Sequence, residues 1–212
     1  MKKIYILLLG IILYANSAIS QENPPKLLIM GVPQYMVRQG IRIDFELPTK
    51  DYNSWWVFSP VYFINVSDLG NDERRDYEQM HGYGLSIGRK GFLSRKSLDK
   101  GVYISGNAGF HYYNFLANIS RWHEIEIDGL KYQEYVTSNS HVYVNKFLID
   151  ALVGYQKEIY SRLYLDFYAG IGLRYSFHEG PSGSNVKFNK NVFDYGYTGT
   201  LFVGGFRLGI GL

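Results

Sequence analysis

Leu163-Tyr164-Leu165-Asp166-Phe167-Tyr168-Ala169-Gly170-Ile171-Gly172-Leu173-Arg174 puts Leu, Leu, Phe, Ala, Ile and Leu on one side of an extended chain. The other side takes Tyr, Asp, Tyr, Gly, Gly and Arg. Side chains alternate faces with period 2 in a strand, whereas a helix repeats every three to four residues, so this stretch is a strand. Ile41-Arg42-Ile43-Asp44-Phe45-Glu46-Leu47 does the same with charges on the polar side. Residues 102–113, 147–158 and 202–212 alternate too, and Tyr83, Leu85 and Ile87 face away from Gly82, Gly84, Ser86 and Gly88. Residues 55–64 are apolar on both faces, which leaves their register open.

Working outward, the alternation predicts eight strands, at about 26–37, 41–48, 55–65, 81–91, 101–118, 140–158, 162–178 and 199–212. The first is the least regular, because Pro33 cannot donate to a ladder and belongs at an edge or bulge. Connections 49–53, 94–100 and 160–161 are short, while 66–80, 119–139 and 179–197 are long; 38–40 is a tight exception. Short turns at one end and long loops at the other are the habit of up-and-down transmembrane barrels. Eight strands leave roughly 13 residues per connection after a span of ~10–11, and sixteen would leave almost none. A porin-sized channel is thereby excluded.

The chain begins with Lys2 and Lys3, an apolar run from Ile4 to Ala15, and Ala18-Ile19-Ser20, the pattern of a signal peptide cleaved before Gln21. The expected domains are a signal peptide at 1–20 and a barrel at 21–212. The apolar run falls short of the ~20 residues of a spanning helix, and no later stretch reaches that length. The remaining choices are an exported soluble barrel and a barrel closed within a membrane. Three features favour the membrane. The apolar face carries too many large residues to fit inside so narrow a barrel. The polar face is rich in small residues, including Gly170, Gly172, Gly205, Gly209 and Gly211, which suits a crowded lumen. The 20 Tyr, 13 Phe and 3 Trp gather near strand ends, as in interfacial girdles. Trp55, Trp56, Tyr155 and Tyr160 are expected at the short turns, and Tyr83, Tyr112, Tyr143, Tyr175 and Phe177 toward the long loops.

The final strand, Phe202-Val203-Gly204-Gly205-Phe206-Arg207-Leu208-Gly209-Ile210-Gly211-Leu212, resembles the C-terminal signal strand read by the outer-membrane assembly machinery. Gly205 followed by Leu208 and Ile210 fits that pattern, and Val203 departs from it where a polar residue is preferred. Residues 26–62 resemble small Gram-negative barrels of the OmpA/OmpX type and related domains of unknown function. The resemblance covers the chain after residue 20 as a pattern. It implies an all-β, eight-stranded antiparallel up-and-down transmembrane barrel in the outer membrane, partnered by outer-membrane lipids and the assembly machinery. It implies little about activity.

Chemistry is sparse. The absence of Cys removes thiol nucleophiles and Cys-ligated metals. His123-Glu124 opens like a zinc-protease motif, but Ile127 stands where the second His is required. No cofactor is expected. The net charge of +3 includes Lys2 and Lys3, so nucleic acid is not an expected partner. Asn65-Val66-Ser67 and Asn118-Ile119-Ser120 match a glycosylation sequon by chance. His111, His141 and His178, with Ser105, Ser140 and Ser176, are the rim candidates for an outer-leaflet lipid-modifying enzyme, though no spacing forces them together.

The expected interior constellation is Arg42, Lys90, Lys146, Arg162, Arg174 and Arg207 against Asp44, Glu46, Asp150, Glu158 and Asp166. Six cations against five anions favour a mutually neutralising plug, since a selective ion path would be biased to one sign. Within 119–139, Asp128-Gly129 is a strong hairpin signal between Glu124-Ile125-Glu126-Ile127 and Leu130-Lys131-Tyr132. A projecting ribbon there serves either as a docking edge for a surface partner or as a spacer.

Overall fold

The computed structural model describes residues 24–50, 52, 54–66, 77–93, 99–180, 189 and 191–212. The expected signal peptide lies outside them. Alternation becomes eight strands: β1 (Leu28–Gly31), β2 (Gly40–Pro48), β3 (Ser54–Val66), β4 (Tyr77–Phe92), β5 (Gly101–Ile127), β6 (Leu130–Tyr160), β7 (Leu163–Glu179) and β8 (Gly199–Gly211). Each pairs antiparallel with the next, and β1 also pairs with β8, so the sheet closes as a barrel. No helix among the described residues is long and apolar enough to cross a membrane, which says nothing of strands.

The first expected strand is cut short. Val32 N–H donates to the Arg42 carbonyl at 3.2 Å as the last rung. Pro33, with no N–H to give, then starts the helical turn α1 (Gln34–Val37). Strands β5 and β6 run on past 118 and 140 as the projecting ribbon that Asp128-Gly129 signals. β5 pairs with β4 only as far as Ala117, and β6 meets β7 only from Tyr143. Between these points and the Asp128-Gly129 turn, the two strands pair only with each other among the described residues. Asp128 and Gly129 both have positive φ, 51° and 79°, as a tight hairpin turn requires.

Leucine, isoleucine, valine and phenylalanine side chains at alternate positions point outward all round the ring, among them Ile43, Leu85, Ile104, Ile149, Phe167, Ile171 and Leu208. Outside, Tyr83 lies 5.2 Å from Tyr112, which stacks on Tyr143 at 6.0 Å. Trp56, Tyr155 and Tyr160 face outward at the short-turn end, but Trp55 does not. It is fully buried in the lumen with Leu28, Met30 and Tyr164. The lumen is therefore layered. An apolar floor closes the short-turn end, charges fill the middle, and a cluster around Phe63, Met80, Tyr113, Phe115 and Val144 packs on the loop side.

Candidate functional site

The central layer is assembled from inward positions of β2 to β8. Arg42 sits on β2 two residues before Asp44, so the two share a face, and Nε contacts Asp44 Oδ1 at 2.7 Å. Arg42 also donates to Ser59 Oγ at 3.0 Å and Tyr35 Oη at 2.9 Å. Arg207 on β8 is the hub. Its Nη1 reaches Asp44 Oδ2 at 3.0 Å and Glu46 Oε1 at 3.1 Å, and its Nη2 reaches Asp166 Oδ2 at 3.0 Å. Lys90 on β4 bridges Glu46 at 3.0 Å and Asp166 at 2.8 Å and donates to Gln156 Oε1. Tyr103 Oη accepts from Arg207 Nη2 at 2.7 Å and donates to Asp166 Oδ1 at 2.6 Å. Three cations thus meet three carboxylates, and Asp44, Glu46, Lys90 and Asp166 are all 0% exposed.

Such a lattice fits in a narrow barrel because glycines make room for it. Gly154 lies opposite Tyr103, Gly84 opposite His111, Gly88 opposite Asn107 and Gly82 opposite Tyr113. A Cβ on Gly82 would stand 2.5 Å from the Tyr113 ring, and the other three would collide with their facing side chains as well. The inward glycines are volume, not flexibility.

The remaining expected interior charges separate. Arg174 Nη1 pairs with Asp150 Oδ1 at 2.6 Å, above the central layer. Lys146 is buried with no carboxylate in ion-pair contact among the described residues; Nζ donates to the Asp194 carbonyl at 3.3 Å. Glu158 and Arg162 are corrections. The pairing slips between Glu158 and Tyr160, where β6 ends, and this leaves Glu158 at the rim against Lys100 Nζ at 2.6 Å. Arg162 is in the β6–β7 turn with φ of 66°, its N–H donating to Glu158 Oε1 at 3.0 Å. Tyr103 and Gln156 belong to the lattice as well, and both lie on the polar side of clear alternations. No sequence pattern signals Asp99, a turn residue whose carbonyl accepts from Gln156 at 2.7 Å and whose carboxylate accepts from Tyr164 at 2.6 Å.

Above the lattice, on the loop side, lies a cavity of about 400 Å³ bounded by α1, by residues 192–197 and by β5 to β8. The rim candidates do not form a nucleophile and base there. His111 Nδ1 is 3.0 Å from Tyr113 Oη, and His141 Nδ1 is 2.9 Å from Asn114 Oδ1. Ser105 donates to Asn107, and Ser176 to the Tyr197 carbonyl.

Fold and site together define a closed eight-stranded antiparallel barrel with a charge-filled lumen. No family model matches the chain, and no curated protein matches it. Solved structures that bear a slight likeness include two from Acinetobacter baumannii. The crystal structure of CarO2 is 12% identical over 91% of this chain and 100% of that one, with a TM-score of 0.39. That of CarO is 11% identical over 92% and 100%, with a TM-score of 0.37. The class of fold rests on the ring of strand pairings itself.

Proposed function

We propose that the chain is an outer-membrane barrel, closed to ions by its central lattice, that acts at the cell surface through the β5–β6 ribbon. The observation that carries the membrane reading is the inversion of the barrel. Isoleucine, leucine and phenylalanine side chains stand outside while arginine, lysine and carboxylates are sealed within. In water that arrangement exposes an apolar band no soluble barrel would keep, whereas in a bilayer it is the expected one.

Support for the surface role comes from the ribbon. Ten residues of β5 beyond Ala117 reach roughly 33 Å at ~3.3 Å per residue. Trp122, Tyr135, Ile127 and Leu130 are exposed on it, and both its edges carry backbone groups unpaired among the described residues, which suit strand addition by a partner. Fractionation tests the membrane reading. The protein should stay with sarkosyl-resistant outer membrane and run differently on gels with and without boiling. Recovery in the soluble periplasmic fraction would refute it.

A further inference from the structure

The barrel is closed at the short-turn end and parted at the other. β1 pairs with β8 only from Gly31↔Leu208 to Leu28↔Gly211. From Gly199 to Arg207, β8 is laddered to β7 alone among the described residues, and Gly40 and Ile41 of β2 to β3 alone. α1 lies in this seam, tied by Gln34 Nε2 donating to Tyr168 Oη at 2.6 Å. No backbone hydrogen bond among the described residues joins it to β8. An unpaired strand edge in hydrocarbon is tolerated where protein covers it or where it lines a cavity. Here it lines one. Leu201, Phe202, Val203 and Gly204, successive residues from both faces of β8, all border the 400 Å³ cavity, so that cavity wraps the free edge and leads from lumen to seam.

Its two ends are chemically opposite. Toward the seam stand Val37, Phe193 and Phe202, 87, 82 and 74% exposed. Toward the lumen stand Lys146, Arg38, Arg42 and Arg174, with Asp150 the carboxylate among the lining residues. Arg42 and Arg174 have their carboxylates already. Lys146 and Arg38 have none in ion-pair contact among the described residues. Lys146, 6% exposed, donates to the Asp194 carbonyl, and Arg38 Nη2 donates to the Phe193 carbonyl at 2.9 Å while lying over the Tyr195 ring. The Asp194 carboxylate is engaged by the Asn191 N–H at 2.8 Å. Arg207 Nε, a buried donor on the cavity floor, has no partner either. A buried ammonium without an anion is costly, and a cavity beside it gives an anion room.

We infer that this cavity binds an amphiphile with one anionic head on an apolar chain. The head sits against Lys146 and Arg38, and the chain leaves through the seam past Val37, Phe193 and Phe202. A bare small anion would leave the apolar mouth unused, and a neutral chain would leave the cations unpaired. The inference rests on the membrane reading only for what lies outside the seam; the cavity and its cations do not depend on it.

The test is calorimetric titration of the full-length protein in phosphatidylcholine nanodiscs, blanked against empty discs, with decanoate, decanol and acetate. Decanoate should bind saturably and at least about tenfold more tightly than either control, and Lys146→Met should remove about tenfold of that affinity while leaving decanol unchanged. If Lys146→Met fails to fold, as its unboiled gel mobility would show, Arg38→Gln decides, because Arg38 lies outside the strands and should cost several-fold. In phosphatidylglycerol discs, loss of decanoate binding to wild type would identify a bilayer lipid as the source of the head, and retention a diffusing carboxylate. Decanoate binding no tighter than decanol, acetate binding as tight as decanoate, or a folded variant with wild-type affinity would each overturn the site. Recovery of the chain as a soluble protein that still binds decanoate would remove the membrane reading and leave this one standing.

Discussion

Asp166 shows what a single residue does in this lumen. It accepts from Lys90, Arg207 and Tyr103 and is sealed from solvent, so its charge is the local answer to two cations. Asp166→Ala leaves the central layer one carboxylate short, and the stranded cation should cost about 3–5 kcal/mol. The measurement is the urea midpoint of the heat-modifiable band, and a shift below about 1 kcal/mol would mean that water reaches the site. A paired loss, Asp166→Ala with Lys90→Met, restores the balance of charge and should cost less than the single change. At this scale the sequence was legible wherever alternation was clean. Arg42, Asp44, Glu46, Lys90, Asp166 and Arg207 each sit on the polar side of an obvious strand, and all turn inward. Period 2 gives a face but not a depth. That is why alternation groups Glu158 with a lattice it stands below, and why it carries no signal of the isolation of Lys146.

Elements were legible in number and order, less so in their ends. A strand stops where its partner stops, and partners are long-range facts. β1 ends at Gly31 because Pro33 has no donor for the next rung, a local cause visible in the sequence. β5 and β6 continue because they pair with each other up to the turn that Asp128-Gly129 announces, while how far each outruns its other neighbour is not given by a local pattern. Residues 55–64, apolar on both faces, carry no register of their own, so the expectation of Trp55 in an outer girdle fails and it belongs to the floor. On β7 the outward assignment can be tested directly. Phe167, half-exposed beside Phe206, should face hydrocarbon, and Phe167→Arg should destabilise the barrel by roughly 2–4 kcal/mol, seen as loss of the unboiled folded band. Normal yield and mobility would show that this face does not meet lipid. The ribbon makes an independent prediction. A two-stranded hairpin is marginal alone, and it turns on Gly129 at φ of 79°. Gly129→Val forces a β-branched residue into the left-handed region and should raise tryptic cleavage at Lys131 while the barrel's urea midpoint stays put. A fall in that midpoint would show that ribbon and barrel are one cooperative unit.

The molecule as a whole is a ring with a filled middle. Eight strands enclose an interior that side chains can fill, and here they fill it in order from the short-turn end: Leu28, Met30, Trp55 and Tyr164 as a floor, then the six-charge lattice. Conduction needs a continuous wet path, and ions bind weakly and leave in a path whose charges are free. On the proposed reading neither condition is met, since the lattice carboxylates pair with Arg42, Lys90 and Arg207 and the floor beneath them is apolar. The cavity above the lattice ends on that obstruction and opens sideways at the seam instead. Purified protein in planar bilayers should therefore show no sustained current. Removing the plug should change this only when both layers go. Trp55→Ala alone opens the floor onto a neutral, cross-linked lattice and should stay silent. Trp55→Ala combined with Lys90→Ala and Glu46→Ala takes out the floor and a neutral pair together, so the layer above keeps its balance of charge. That triple variant should show resolvable openings if it assembles, which its gel mobility reports. Steady single-channel currents from the wild type would mean that the lattice opens on its own, and the barrel would then have to be read as a narrow channel.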